Sequence, residues 1–229
     1  MIINQYPPFL ILPLWLTCYN RTMIKLIKRN EVLQQYPCMP WIVYDPQRDE
    51  EELHMPEGAS HIIVSSPAST YTRSINKICK EITVVFRRLK LQTFLVMGAQ
   101  ETAWRFRQRR YTDSKVTSIM EFFTQSGIRP RFNGAVLLSL EDFPIWFKHV
   151  SYLVRVNALG PEVHFLDITQ SLYFSPCKYG NVHLTIVDKL LVKPFQTEIN
   201  RRELIPISPG DCVSRFNNNN GIPGRQTHP

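Results

Sequence analysis

His61–Met97 reads HIIVSSPASTYTRSINKICKEITVVFRRLKLQTFLVM, and the succession of patterns within it decides the fold class. His61–Val64 and Thr93–Met97 are short runs of β-branched and other apolar residues, the form strands take in sequence. Between them Ile75, Ile78, Cys79, Ile82, Val85, Phe86 and Leu89 recur at intervals of three and four. That spacing puts them in one stripe of a helix, which Ser69 or Thr70 can cap and which ends near Leu89. Lys77, Lys80, Glu81, Arg87 and Arg88 fall on its other side. A strand, a helix and a second strand in that order predict a β/α unit.

Working outward, Asp113 or Ser114 caps a second predicted helix carrying Val116, Ile119, Met120 and Phe123. It stops at Gly127, a residue suited to the left-handed position past a helix end. Ala135–Leu140 then reads as a strand. A third helix starts near Asp142, tolerates Pro144 in its first turn and runs to Leu159, before Gly160-Pro161. Its apolar residues lie on nearly every side, so it is expected to be the most buried of the three. Beyond Pro161, Val163–Ile168, Leu172–Ser175 and Val182–Val187 are separated by turn residues, which predicts an antiparallel meander. The whole reads as a single α/β domain, with α+β left open. It would have one mixed sheet and about three main helices, with β/α units followed by a C-terminal antiparallel meander.

Proline sets the limits of this core. Of 17 prolines, eight lie in residues 1–67, four in 68–193 and five in 194–229, and Pro is costly inside helices and central strands. Residues 56–205 are therefore expected as the core domain, 1–55 as an N-terminal arm packed on it, and 206–229 as a disordered tail. The run Phe9–Tyr19 is strongly apolar, but it is interrupted by Pro13 and is far shorter than the roughly 20 residues of a spanning helix. It is expected as a buried or docked arm, the alternative being an interfacial anchor, which its lack of preceding positive charge disfavours. The five cysteines (18, 38, 79, 177 and 212) are scattered, with no C-x-x-C pair and no histidine at zinc-finger spacing. Neither a disulfide framework, nor a metal, nor a cofactor is expected, and a reducing, cytoplasmic setting fits.

The charge is local. Lys+Arg number 27 and Asp+Glu 19, a net +8, and residues 61–110 alone carry ten basic and two acidic side chains. The remaining segments cancel one another. The densest piece is Trp104-Arg105-Phe106-Arg107-Gln108-Arg109-Arg110-Tyr111. If it is extended, Trp104 and Phe106 face one way and Arg105, Arg107 and Arg109 the other. If it is helical, only Arg105 and Arg109 share a face. Guanidinium forks grip phosphate and carboxylate bidentately, so Trp104, Arg105, Arg107, Arg109, Arg110 and Tyr111 are the expected binding residues. The partner would be nucleic acid or an acidic protein surface. The blander alternative is a solvated face neutralised by Asp49-Glu50-Glu51-Glu52.

Recognisable catalytic motifs are absent: there is no G-x-S-x-G, no phosphate-binding glycine loop and no H-x-x-x-H. One cluster remains, in the meander. Cys177-Lys178-Tyr179-Gly180-Asn181 reads as a turn joining two strands, which could set Cys177 across from His183. A catalytic version takes Cys177 as nucleophile, His183 as its base and Asp167 as the group orienting the imidazole. Against it stands the simpler account, in which Cys177 packs as a small hydrophobe. The expected function is a non-catalytic binding or regulatory protein that docks an anionic partner. A hydrolase or transferase with a Cys/His site is the alternative.

Overall fold

A computed structural model of the chain describes residues 24–45, 47–54, 56–104, 113–156, 162–213 and Phe216. The apolar run Phe9–Tyr19, the arginines Arg105, Arg107, Arg109 and Arg110 with Tyr111, the Leu159–Pro161 helix stop and the asparagine run Asn217–Asn220 lie outside the described residues. The elements begin with β1 (Lys25–Ile27), α1 (Arg29–Gln35), β2 (Trp41–Asp45), β3 (Glu50–His54), β4 (Ser60–Ser65), α2 (Tyr71–Arg88) and β5 (Thr93–Gly98). They continue with α3 (Ser114–Gln125), β6 (Ala135–Ser139), α4 (Phe143–Val156), β7 (Val163–Asp167), β8 (Leu172–Pro176), β9 (Val182–Ile186), α5 (Lys189–Asn200) and β10 (Ile205–Ile207).

Local chemistry accounts for the helix limits. The Thr70 hydroxyl accepts from Arg73 N at the start of α2, and the Asp113 carboxylate accepts from Lys115 N at the start of α3. Gly127, just past α3, has φ +82°, the conformation that glycine reaches without strain. Two helices were not legible beforehand. One is α1, in the proline-rich first segment. The other is α5, which carries Pro194 in its interior and begins at Asp188, whose side chain accepts from Leu190 N.

Eight strands form one sheet in the order β1-β6-β5-β7-β8-β9-β4-β10, while β2 and β3 pair separately. Every ladder is antiparallel, which corrects the mixed sheet expected from sequence. The reason is interposition. β4 and β5 do point the same way, but β9, β8 and β7 lie between them, so α2 crosses three strands. β6 and β7 also share a direction, with β5 between them. Each parallel neighbour that a β/α unit would make is thus replaced by an antiparallel one, and the α+β description left open by the sequence fits best. The first segment is more than an arm laid on the core, because β1 is the sheet's edge strand. At the other end, β10 pairs with β4, so the stretch expected as tail begins with ordered structure.

Strand alternation gives the sheet two different faces. On one, Val96, Val136, Leu138, Val163, Phe165, Leu172, Phe174, Val182, Leu184 and Ile186 join the apolar stripes of α2, α3, α4 and α5 in the main core. Its centre is aromatic. Phe86 of α2 lies 4.9 Å from Phe94 and 5.1 Å from Phe174 between ring centroids, and Phe165 stacks on Phe174 at 5.0 Å. Phe143 and Phe147 of α4 close the cluster. α4 is no more buried than α2, contrary to expectation: seven of its 14 residues are buried against ten of 18, and Ile145 is 44% exposed. The other face carries a smaller core of Ile27, Val32, Met39, Leu95, Met97, Leu166 and Tyr173, covered by α1.

Phe174 is fully buried and lies against the other five rings of the cluster. Phe174→Ala is expected to cost about 3–5 kcal/mol, read from the denaturant midpoint in an unfolding titration. A loss below 1 kcal/mol would mean that the rings do not form one packed unit.

Candidate functional site

Two places bring charged or nucleophilic side chains together. The first is the second face of the sheet at the β8–β9 end. Val182, Leu184 and Ile186 point into the main core, so His183 and Thr185 turn the other way. The turn between β8 and β9 closes with Gly180 N donating to Cys177 O and Cys177 N to Asn181 O, and Gly180 has φ +81°. A Cβ on Gly180 would also lie 2.9 Å from the Phe216 ring, so glycine is required there twice over. Arg155 of α4 fastens the same turn by donating to Lys178 O while stacking 4.3 Å over the Tyr71 ring.

Into this corner the C-terminal segment delivers a residue that sequence reasoning passed over. After β10 and a short 3-10 turn, Cys212 Sγ lies 3.7 Å from Cys177 Sγ and 3.2 Å from His183 Nε2. Asn181 Nδ2 donates to the same sulfur at 3.4 Å, and Ser65 Oγ orients that amide by donating to Asn181 Oδ1 at 2.7 Å. The Cys177 thiol beside it, helped by Asn181 and His183, holds the Cys212 thiol down to about 5 in spite of burial. The same contact, with burial, pushes the Cys177 thiol up. Cys212 is thus the sulfur on which the Asn181 and His183 nitrogens converge. These three side chains are also the group whose donor atoms could hold a metal ion, since all lie within 4.8 Å of one another.

Asp167 takes no part. It lies three residues along the register from the His183–Ser175 pair, roughly 10 Å by strand rise. Its side chain has the parity of Phe165, on the opposite face, and its carboxylate accepts from the Thr169 backbone and hydroxyl. The histidine in the His183 row is instead His164, only 3% exposed, with neither ring nitrogen hydrogen-bonded. Glu162 Oε1 stands 3.7 Å from His164 Nε2, too far for a hydrogen bond, and burial holds the imidazole down to about 4.

The second place is where the arginine row would attach. Trp104 is 3% exposed, donates from Nε1 to Gly134 O at 2.8 Å and from its backbone N to Phe132 O, and meets Phe123 and Trp146 edge-on. Its ring is an anchor and is not available to a partner. Upstream, the buried Arg29 guanidinium donates to the carbonyls of Gly98, Ala99 and Gln100. The stretch from Gly98 to Trp104 is thus pinned at both ends. Beside it are two open, adjoining cavities of about 510 and 440 Å³, which share Lys28, Arg131 and Phe132, with Arg129 lining the larger. Arg129 and Arg131 are exposed, and neither forms an ion pair among the described residues. The acidic run Asp49-Glu50-Glu51-Glu52 sits on the β2–β3 hairpin, where Glu52 pairs with Arg48 and Asp49 accepts from Tyr44.

A histidine buried neutral costs stability once acid must charge it. The folded value near 4 against the usual 6.5 means that the unfolded chain binds the proton first, so stability is full above pH 6.5 and drains away toward pH 4. The loss is on the order of 3 kcal/mol. His164→Leu should flatten that part of the stability–pH profile in urea titrations at pH 7, 5.5 and 4; parallel profiles would refute the assignment. Compared with protein-family models, curated proteins and solved structures, the chain matches none.

Proposed function

We propose that this is a cytoplasmic binding or regulatory protein that docks an anionic partner, nucleic acid or an acidic protein surface, on its basic side. One observation carries the reading: the arginine-rich run begins at the residue after a buried tryptophan that is bonded to the loop bearing Arg129 and Arg131. Described cations with no carboxylate partner and the densest cationic stretch of the sequence thus share one starting point. Lys28 adds a further charge at the same groove, and among the described residues its ion pair is with Glu31 at 3.8 Å on an exposed surface. Backbone phosphates or a carboxylate row would take the guanidinium groups bidentately and the Lys28 ammonium as a point charge, and phosphates would release counterions on binding.

A second reading is favoured by the convergence of Cys212 on His183 and Asn181. An enzyme, hydrolase or transferase, would use that corner, with Cys212 in the place the sequence assigned to Cys177. The two readings use residues on different elements and separate by mutation.

Arg129→Ala/Arg131→Ala and Arg105→Ala/Arg107→Ala/Arg109→Ala should each weaken binding to a short nucleic-acid duplex or to polyglutamate. For the duplex, each lost phosphate contact should reduce the slope of log affinity against log salt by about 0.9. Cys212→Ala should leave both quantities unchanged. Binding that is indifferent to the arginine variants and to salt would overturn the docking proposal.

A further inference from the structure

We infer that Cys177, His183 and Cys212 form a binding site for a single borderline-soft divalent metal ion of the zinc type. The inference is independent of anion docking, and it shares residues with the enzyme reading without sharing its free thiol. The argument is one of shape. A tetrahedral zinc ion with sulfur at about 2.3 Å and imidazole nitrogen at about 2.0–2.1 Å sets its donors about 3.8 Å apart for two sulfurs and about 3.6 Å for sulfur and nitrogen. Here the two sulfurs are 3.7 Å apart, Cys212 Sγ and His183 Nε2 are 3.2 Å apart, and the third edge is within 4.8 Å. Two of the three edges thus lie within about 0.4 Å of those of one coordination tetrahedron. A disulfide, by contrast, would need the sulfurs to close to about 2.05 Å.

The surroundings are those a thiolate ligand requires. The Asn181 amide N–H points at Cys212 Sγ, and Ser65 fixes the amide's orientation from a third strand, so the outer support is itself supported. The donors come from the β8–β9 turn, from β9 and from the segment after β10, places 6 to 35 residues apart in sequence that the sheet alone brings together. Two thiolates and one neutral imidazole suit zinc or cobalt far better than magnesium or calcium, which prefer oxygen. Three protein ligands leave the fourth corner to water or to a ligand donor, the arrangement in which zinc acts as a Lewis acid. Binding would displace thiol protons and would tie the C-terminal segment to the sheet.

The test uses the whole chain, reduced and stripped with a chelator, then titrated with Co²⁺ alone. One equivalent should bind, with thiolate-to-cobalt charge-transfer absorption and the intense visible bands of tetrahedral cobalt, and Zn²⁺ should displace it. Asn181→Ala should weaken Co²⁺ binding by about 10–100-fold, and Cys177→Ala, Cys212→Ala and His183→Ala by more than that. Should a ligand variant fail to fold, X-ray absorption on the unaltered zinc-loaded protein decides: two sulfurs and one imidazole nitrogen in the first shell are expected. A cobalt spectrum without the thiolate band, a shell of oxygen alone, or folded ligand variants that bind as tightly as the parent would overturn the proposal.

Discussion

The packing of six phenylalanines across a single sheet–helix interface is the constraint on which the rest of this structure hangs. Phe94, Phe165 and Phe174 come from β5, β7 and β8; Phe86 comes from α2, and Phe143 and Phe147 from α4. Each strand reaches the cluster only if its register puts that residue on the helix face, because a slip by one would turn the ring to the other side. The cluster therefore fixes register as well as burial. It also explains why the meander lies where it does: β7 and β8 deliver Phe165 and Phe174 beneath α2 and α4, so they occupy the middle of the sheet. The strand–helix–strand pair β4 and β5 is thereby forced apart.

The opposite face follows from the same register. Once Val182, Leu184 and Ile186 are committed to the aromatic side, His183 and Thr185 have no choice but the other, and the same alternation places His164 there. Near the β1 side this face is sealed by α1 and its buried Arg29. Toward β9 and β4 it is polar, and there the Cys177, His183 and Cys212 side chains meet. The site is thus built on the back of the core by strands whose geometry the core dictates. Its sulfur–sulfur and sulfur–nitrogen spacings are held by three backbone elements instead of by one flexible loop.

Basic groups serve two different purposes in this chain. Arg29 and Arg155 are structural: each donates to backbone carbonyls at a strand end or turn, and burial lowers both from the usual arginine value. Arg129 and Arg131 do nothing of the kind among the described residues and stand at an open groove beside the buried Trp104. A composition count treats these four residues alike. Only their partners separate a guanidinium that completes the fold from one left over for a ligand.

Periodicity in the sequence located the three central helices, narrowed two of their caps to Ser69 or Thr70 and Asp113 or Ser114, of which the structure uses Thr70 and Asp113, and placed the strands of the meander to within a residue or two. Those features rest on neighbours three, four or two residues away, so a linear text carries them. It also located the Cys177–Asn181 turn and the chance that Cys177 and His183 are near one another, because a hairpin is a local object. Tertiary structure alone decided strand order, and with it the absence of any parallel ladder, since interposition depends on which apolar surfaces find each other after collapse. It alone removed Asp167 to the far end and other face of the sheet. And it alone brought Cys212, 29 residues beyond His183, back to the site by pairing β10 with β4, a long-range contact for which no local pattern exists.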